Sequence, residues 1–154
     1  MMDAVKLWHC TTTVEKFDDD GRFLERRVVE GNIAVSAGIA LVLDLLIAAG
    51  GTAFNNANAR IGVGDSSAAA AIGQTDLQAA TNKFRRVMEA TFPSRSGSTV
   101  SWKASFATGE ANFAWNEWCV ANAASGGTML NRKVESLGTK SSGVWTLQVD
   151  ITAS

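Results

Sequence analysis

The chain has 154 residues, a length that one hydrophobic core ordinarily serves. With 46% hydrophobic and 19% charged residues it has apolar side chain to bury and too little charge for a disordered chain. Fourteen Lys and Arg against fifteen Asp and Glu leave a net charge of -1, so no overall field draws nucleic acid or anionic lipid.

The N-terminus, MMDAVKLWHC, has no basic region followed by an apolar run and a small-residue cleavage site, and reads as no signal peptide. Residues 5–17 are rich in β-branched and aromatic side chains. They lead through Asp18-Asp19-Asp20-Gly21 into RFLERRVVE, which predicts a β-hairpin closed by an acidic, Gly-terminated turn. In its first strand Trp8, Cys10, Thr12 and Val14 share one face. From Asn32 the period becomes helical. Ile39, Val42, Leu43 and Leu46 recur on one side, which predicts a helix over about 33–49, capped by Asn32 or Ser36 and ended by a left-handed residue at Gly50-Gly51. That stretch falls short of about 20 residues and carries Asp44, so burial against a protein core is expected rather than a membrane span.

Residues 59–64 (ARIGVG) predict a short strand, residues 65–73 a small-residue loop, and Thr75-Asp76-Leu77-Gln78 the start of a helical turn. Residues 83–92 alternate, with Phe84, Arg86, Met88 and Phe92 on one face, and 93–98 form a turn. Val100, Trp102, Ala104 and Phe106 alternate against Thr99, Ser101, Lys103 and Ser105, and Trp145, Leu147, Val149 and Ile151 against Thr146, Gln148 and Asp150. Strands are also expected over 113–121 and 129–136. The fold class that follows is mainly β: about seven or eight short strands in an antiparallel, jelly-roll-like β-sandwich with one apolar covering helix. Residues 1–31 form an N-terminal hairpin or arm and residues 32–154 the sandwich.

Candidate chemistry is thinly stocked. There is one histidine, His9, no tyrosine, and two cysteines, Cys10 and Cys119, too far apart for a zinc cluster or a disulfide framework. The three adjacent acids 18–20 lack the alternate spacing of a calcium loop and read as a solvated turn. Gly62-Val63-Gly64-Asp65-Ser66-Ser67 lacks the Lys of a phosphate loop. Lys83, Arg85, Arg86 and Arg95 near Phe84 and Phe92 resemble a single-strand nucleic-acid surface, but alternation splits them between two faces. Asp44, and Glu117 between Trp115 and Trp118, are the acids expected to be partly buried. No catalytic, cofactor-binding or metal-binding residue is assigned, and an enzyme is not expected. Most of the five tryptophans should be core, with one or two free to anchor a partner.

ANARIGVGDSS, then QTDLQAATNKFRRVMEATFP, then ANFAWNEWCVANAASGGTMLNRKVESLGTKSSGVWTLQVDIT together resemble a family of small structural proteins of tailed-bacteriophage virions. In that family an IGVGD strand, a TDLQ turn and an ANFAWNEWGVFNAASGGTMLNR segment recur in this order. The resemblance covers about residues 32–153 and departs at Cys119-Val120-Ala121, where the family carries a Gly and an aromatic residue. It implies a virion structural protein made in a host cytoplasm, with no catalytic residues to carry over. The expected role is a capsid decoration (cement) protein bound to the major capsid protein. A tail-tip or tail-fibre component is the alternative, and a carbohydrate-binding β-sandwich module the alternative of another class. The expected state is a homo-oligomer, a trimer among its forms, with no nucleic-acid or membrane partner. The hairpin, outside the resemblance, is expected to attach the chain without being needed for folding. Trp8, Phe23, Arg26, Arg27 and Trp118 are the candidate partner contacts.

Overall fold

The computed structural model describes residues 8–154; Val5 and Leu7, expected in the first strand, lie outside the described residues. The elements run β1 (Trp8–Phe17), β2 (Phe23–Glu30), β3 (Ile33–Ala34), α1 (Ser36–Leu46), β4 (Arg60–Gly64), β5 (Lys83–Val87), β6 (Ser94–Ser96), β7 (Thr99–Phe106), β8 (Glu117–Ala121), β9 (Asn131–Val134) and β10 (Val144–Ala153). The strands make two antiparallel five-stranded sheets, ordered β2-β1-β10-β7-β6 and β3-β9-β8-β4-β5, and these pack as a β-sandwich.

Alternation explains the first sheet. Trp145, Leu147, Val149 and Ile151 on β10 and Trp102, Ala104 and Phe106 on β7 are all buried, as a half-covered strand requires. Between the sheets Trp115 meets Phe106 edge-on at 4.7 Å and Trp145 at 5.0 Å between ring centroids, a geometry that suits the ring quadrupoles. Buried indoles also need acceptors for their N–H groups. Trp115 Nε1 donates to Ala111 O at 2.9 Å, and Trp118 Nε1 crosses the sandwich to Thr12 Oγ1 at 3.0 Å.

β1 and β2 form the predicted hairpin, but it does not project as an arm. β1 pairs with β10 over its whole length, from Trp8 opposite Ala153 to Phe17 opposite Val144, and carries buried Cys10, Thr12 and Val14 into the core. β1 is thus an interior strand of the first sheet, between β2 and β10, and not part of a separate arm. The acidic turn serves the backbone: Asp18 Oδ1 accepts from the N–H of Asp20 at 2.9 Å and of Arg22 at 2.8 Å, and Gly21 takes φ +80°.

The helix is shorter than expected. Ile33 and Ala34 belong to β3, Val35 occupies the N-cap with no side-chain hydrogen bond, and the first left-handed residue beyond α1 is Ala48 (φ 55°), ahead of Gly50. Its orientation also reverses the expectation. Gly38 is buried, and a Cβ there would stand 2.6 Å from Leu130 O and 2.7 Å from Met129 O, so α1 approaches the backbone before β9 through that glycine. Leu41, Val42 and Leu45 continue the inward stripe, partly covered, whereas Ile39, Leu43 and Leu46 point outward. Asp44 is exposed, not partly buried.

Candidate functional site

β8 is buried at all five positions, since both of its faces are covered. Trp118 and Val120 face the main core, while Cys119 and Ala121 join Val35, Leu77 and Met129 in a second cluster on the other side of the sheet. Glu117 shares that second side by alternation. It is fully buried, and so is Arg132. Arg132 Nε donates to Glu117 Oε2 at 2.8 Å; Nη2 stands 2.8 Å from the same oxygen but off the hydrogen-bonding direction, so it is a close charge contact without a hydrogen bond. The N–H of Gln78 reaches Glu117 Oε2 at 2.9 Å and that of Ala79 reaches Oε1 at 2.8 Å. Arg132 Nη1 continues to Ala68 O at 2.9 Å and Gln74 Oε1 at 3.1 Å.

A buried carboxylate needs such partners, and their arrangement corrects one expectation. Thr75 to Gln78 does not start a helical turn, because the Leu77 N–H goes to Asp76 Oδ1 and the Gln78 N–H to Glu117. Gly64 ends β4 beside this acid, where a Cβ would collide with the Glu117 carboxylate. The cluster fastens the 65–82 segment over the sheet. With its oxygens occupied by one guanidinium and two amides, Glu117 has no access to a substrate.

The basic group of β5 divides as alternation predicted. Arg86 shares the inner face with Phe84, donating to Ser105 O at 2.9 Å, with Glu110 at 3.2 Å. Lys83 and Arg85 clasp Asp76 at 2.7 and 2.9 Å. Desolvation pushes the Asp76 carboxyl upward, but the hydrogen bonds from Lys83, Arg85 and the Leu77 N–H outweigh it and hold the carboxyl below its usual range. Lys140 is buried with Nζ on Ala107 O (2.7 Å) and Asn112 Oδ1 (2.9 Å); desolvation draws its pKa down against the pull of Glu110 and Asp19. Burial likewise pushes the Cys10 thiol up to about 11 and the Cys119 thiol up to about 12, which keeps both as inert thiols at neutral pH. Among the described residues there is no group of three or more His, Cys, Asp and Glu placed to hold a metal ion, and no helix long and apolar enough to cross a membrane.

The candidate partner contacts fall into three classes. Trp118 is core, 1% exposed and bonded to Thr12, so its assignment as a surface anchor is corrected. Arg27 is engaged inside the chain, with Nη1 on Ser136 O at 2.6 Å and Nη2 on Glu135 at 2.8 Å. Trp8, Phe23 and Arg26 remain at the surface. Phe23 is 56% exposed and meets Phe17 edge-on. Trp8 is half-buried and joins Ile39, Val42 and Leu43 around a shallow, almost wholly apolar groove.

That groove belongs to a surface the sequence reading placed inside. Ile39 is 42%, Leu43 56%, Leu46 78% and Ile47 74% exposed. Four large aliphatic side chains on one helix and its end, continuous with a tryptophan, form the kind of patch that marks an interaction site, since solitary soluble chains seldom leave one in water. No family model matches the chain, nor does any curated protein or solved structure.

Proposed function

We propose that the chain is a virion structural protein of a tailed bacteriophage, most specifically a decoration protein that binds assembled capsid subunits through the outward stripe of α1 and the adjoining Trp8. The single observation that carries an assembly role is that stripe: large aliphatic side chains standing together in water on the outer side of a helix are the surface that a partner covers. The family resemblance of residues 32–153 supplies the virion setting. On this reading the sandwich is a stiff support, the Glu117–Arg132 cluster holds its outer layer in place, and the apolar stripe fits a hollow at a junction between shell subunits. Sugar binding loses its support, because a stacking platform needs exposed, coplanar tryptophans, and Trp102, Trp115, Trp118 and Trp145 are buried.

Quantification of this chain in purified particles tests the proposal. A copy number on the order of the major capsid protein's is expected from a symmetric shell site. A handful of copies would move the chain to the tail, and absence from particles would overturn the virion assignment.

A further inference from the structure

We infer that β2 is a homodimerisation edge: two copies of the chain join antiparallel about a two-fold axis at Val28, which merges their first sheets into one ten-stranded sheet. The four sheet edges are unequal. β6 spans three residues and β3 two, and β5 carries Lys83 and Arg85, both tied to Asp76. β2 is eight residues long, closes its sheet, and has no strand beyond it among the described residues. An edge of that length is a template for another strand unless it is blocked.

The backbone sets which groups are offered. Gly31 N–H donates to Cys10 O at 2.8 Å, opposite a register in which Thr11 faces Glu30. In an antiparallel ladder, residues alternate between bonding one neighbour and the other. Glu25, Arg27, Val29 and Gly31 therefore point their N–H and C=O groups at β1, and Arg26, Val28 and Glu30 point theirs outward. The usable edge is bounded at both ends. The register slips between Lys16 and Phe17, leaving Leu24 unpaired as a bulge, and Gly31 turns the chain away at φ +86°. Between those limits the outward residues are 26, 28 and 30, with Val28 at their centre.

The side chains select the same centre. Two-fold pairing at Val28 sets Arg26 opposite Glu30 of the second copy, Glu30 opposite Arg26, and Val28 opposite Val28, with all three outward N–H groups of each strand satisfied. A register one residue away, centred on Arg27, sets Arg26 opposite Val28 and leaves both charges unmatched. All three side chains lie on the outer face of the sheet; Val28 is 44% exposed, and Arg26 is exposed with no hydrogen bond or ion pair among the described residues. Glu30 Oε2 accepts from Thr11 Oγ1 on β1 at 3.0 Å, which leaves Oε1 for Arg26 of the second copy. The charge pattern suits a second copy of this strand in the opposite direction, the self-complementarity that a two-fold interface demands. The pairing uses none of the α1 stripe, so it stands or falls separately from the particle role.

Sedimentation of the purified full-length chain over a range of concentrations tests the inference. A monomer–dimer equilibrium is expected. Val28→Pro removes an outward N–H without touching the ladder to β1 and is expected to give a folded monomer, verified by an unchanged near-ultraviolet spectrum. Arg26→Glu and Glu30→Arg are each expected to weaken the dimer at least tenfold, and the double exchange to recover most of the loss. A wild-type chain that stays monomeric, a trimer, or a dimer indifferent to these substitutions would overturn the inference. Should Val28→Pro fail to fold, the charge exchange and its recovery decide the matter alone.

Discussion

Glu117 and Arg132 face one another with neither side chain exposed, 2.8 Å apart, and together tie five separate stretches of the chain: β8, β9, and the loop at Ala68, Gln74 and residues 78–79. Removing one partner leaves a buried charge without its counter-ion, a loss of about 3 to 5 kcal/mol. Glu117→Ala and Arg132→Ala are each expected to lower stability by that amount in urea titration. Replacing both by methionine should recover part of the loss but not all, because the N–H groups of Gln78 and Ala79 would still lack their acceptor.

Gly38 decides how closely α1 can sit. Alanine is the better helix former by about 1 kcal/mol, yet its Cβ would meet three backbone atoms of Met129 and Leu130 at 2.6 to 2.7 Å, none of which can rotate away. Overpacking of this kind costs about 1 to 3 kcal/mol, and contact with backbone puts the cost toward the upper end. Gly38→Ala is expected to destabilise the chain and to speed amide exchange in α1 more than elsewhere.

The thiols set an alkaline limit. Their folded values, about 11 for Cys10 and about 12 for Cys119, lie above the ordinary 9.0 because burial favours the neutral form. Above pH 9 an unfolded chain loses these protons while the folded chain keeps them, so unfolding becomes more favourable as pH rises. Stability should fall from pH 9 through 11, with no tyrosine to obscure the thiolate absorbance. Replacement of both cysteines by alanine should flatten that slope. At neutral pH neither thiol should react with a disulfide reagent until the chain unfolds.

Deletion of residues 1–30 removes β2 and β1, strips β10 of one neighbour along its full length and opens the core at Cys10, Thr12 and Val14. The truncated chain is expected to lose cooperative unfolding in calorimetry, whereas a cooperative transition would show that β1 is an accessory strand.

How far the structure could be read from residue order follows from how many faces each element covers. β7 and β10 bury one face each, so their two-residue period is visible and their inward residues are those that alternation names. β8 is covered on both faces and has no period; Trp118 carried no signal to separate it from a surface anchor. α1 hid its orientation for a related reason: large aliphatic residues stand on more than one side of it with Asp44 as its one charge, and Gly38, where backbone approaches, marks the inner face. The stretch at 75–79 was unreadable locally because the amides of Gln78 and Ala79 are satisfied by Glu117, 39 and 38 positions away. Glu117 itself was legible as a buried acid from its place between two tryptophans, but Arg132 as its partner was not.

On the proposed function, the outer stripe of α1 is a contact surface and not a fault of folding. Its most direct test is binding of the purified chain to particles that lack it, comparing wild type with a Leu43→Asp, Leu46→Asp double variant. Because both residues are more than half exposed, their replacement should leave the unfolding midpoint nearly unchanged, within about 0.5 kcal/mol. The expected result is a folded variant that no longer binds; a folded variant that binds as well as wild type would contradict the account.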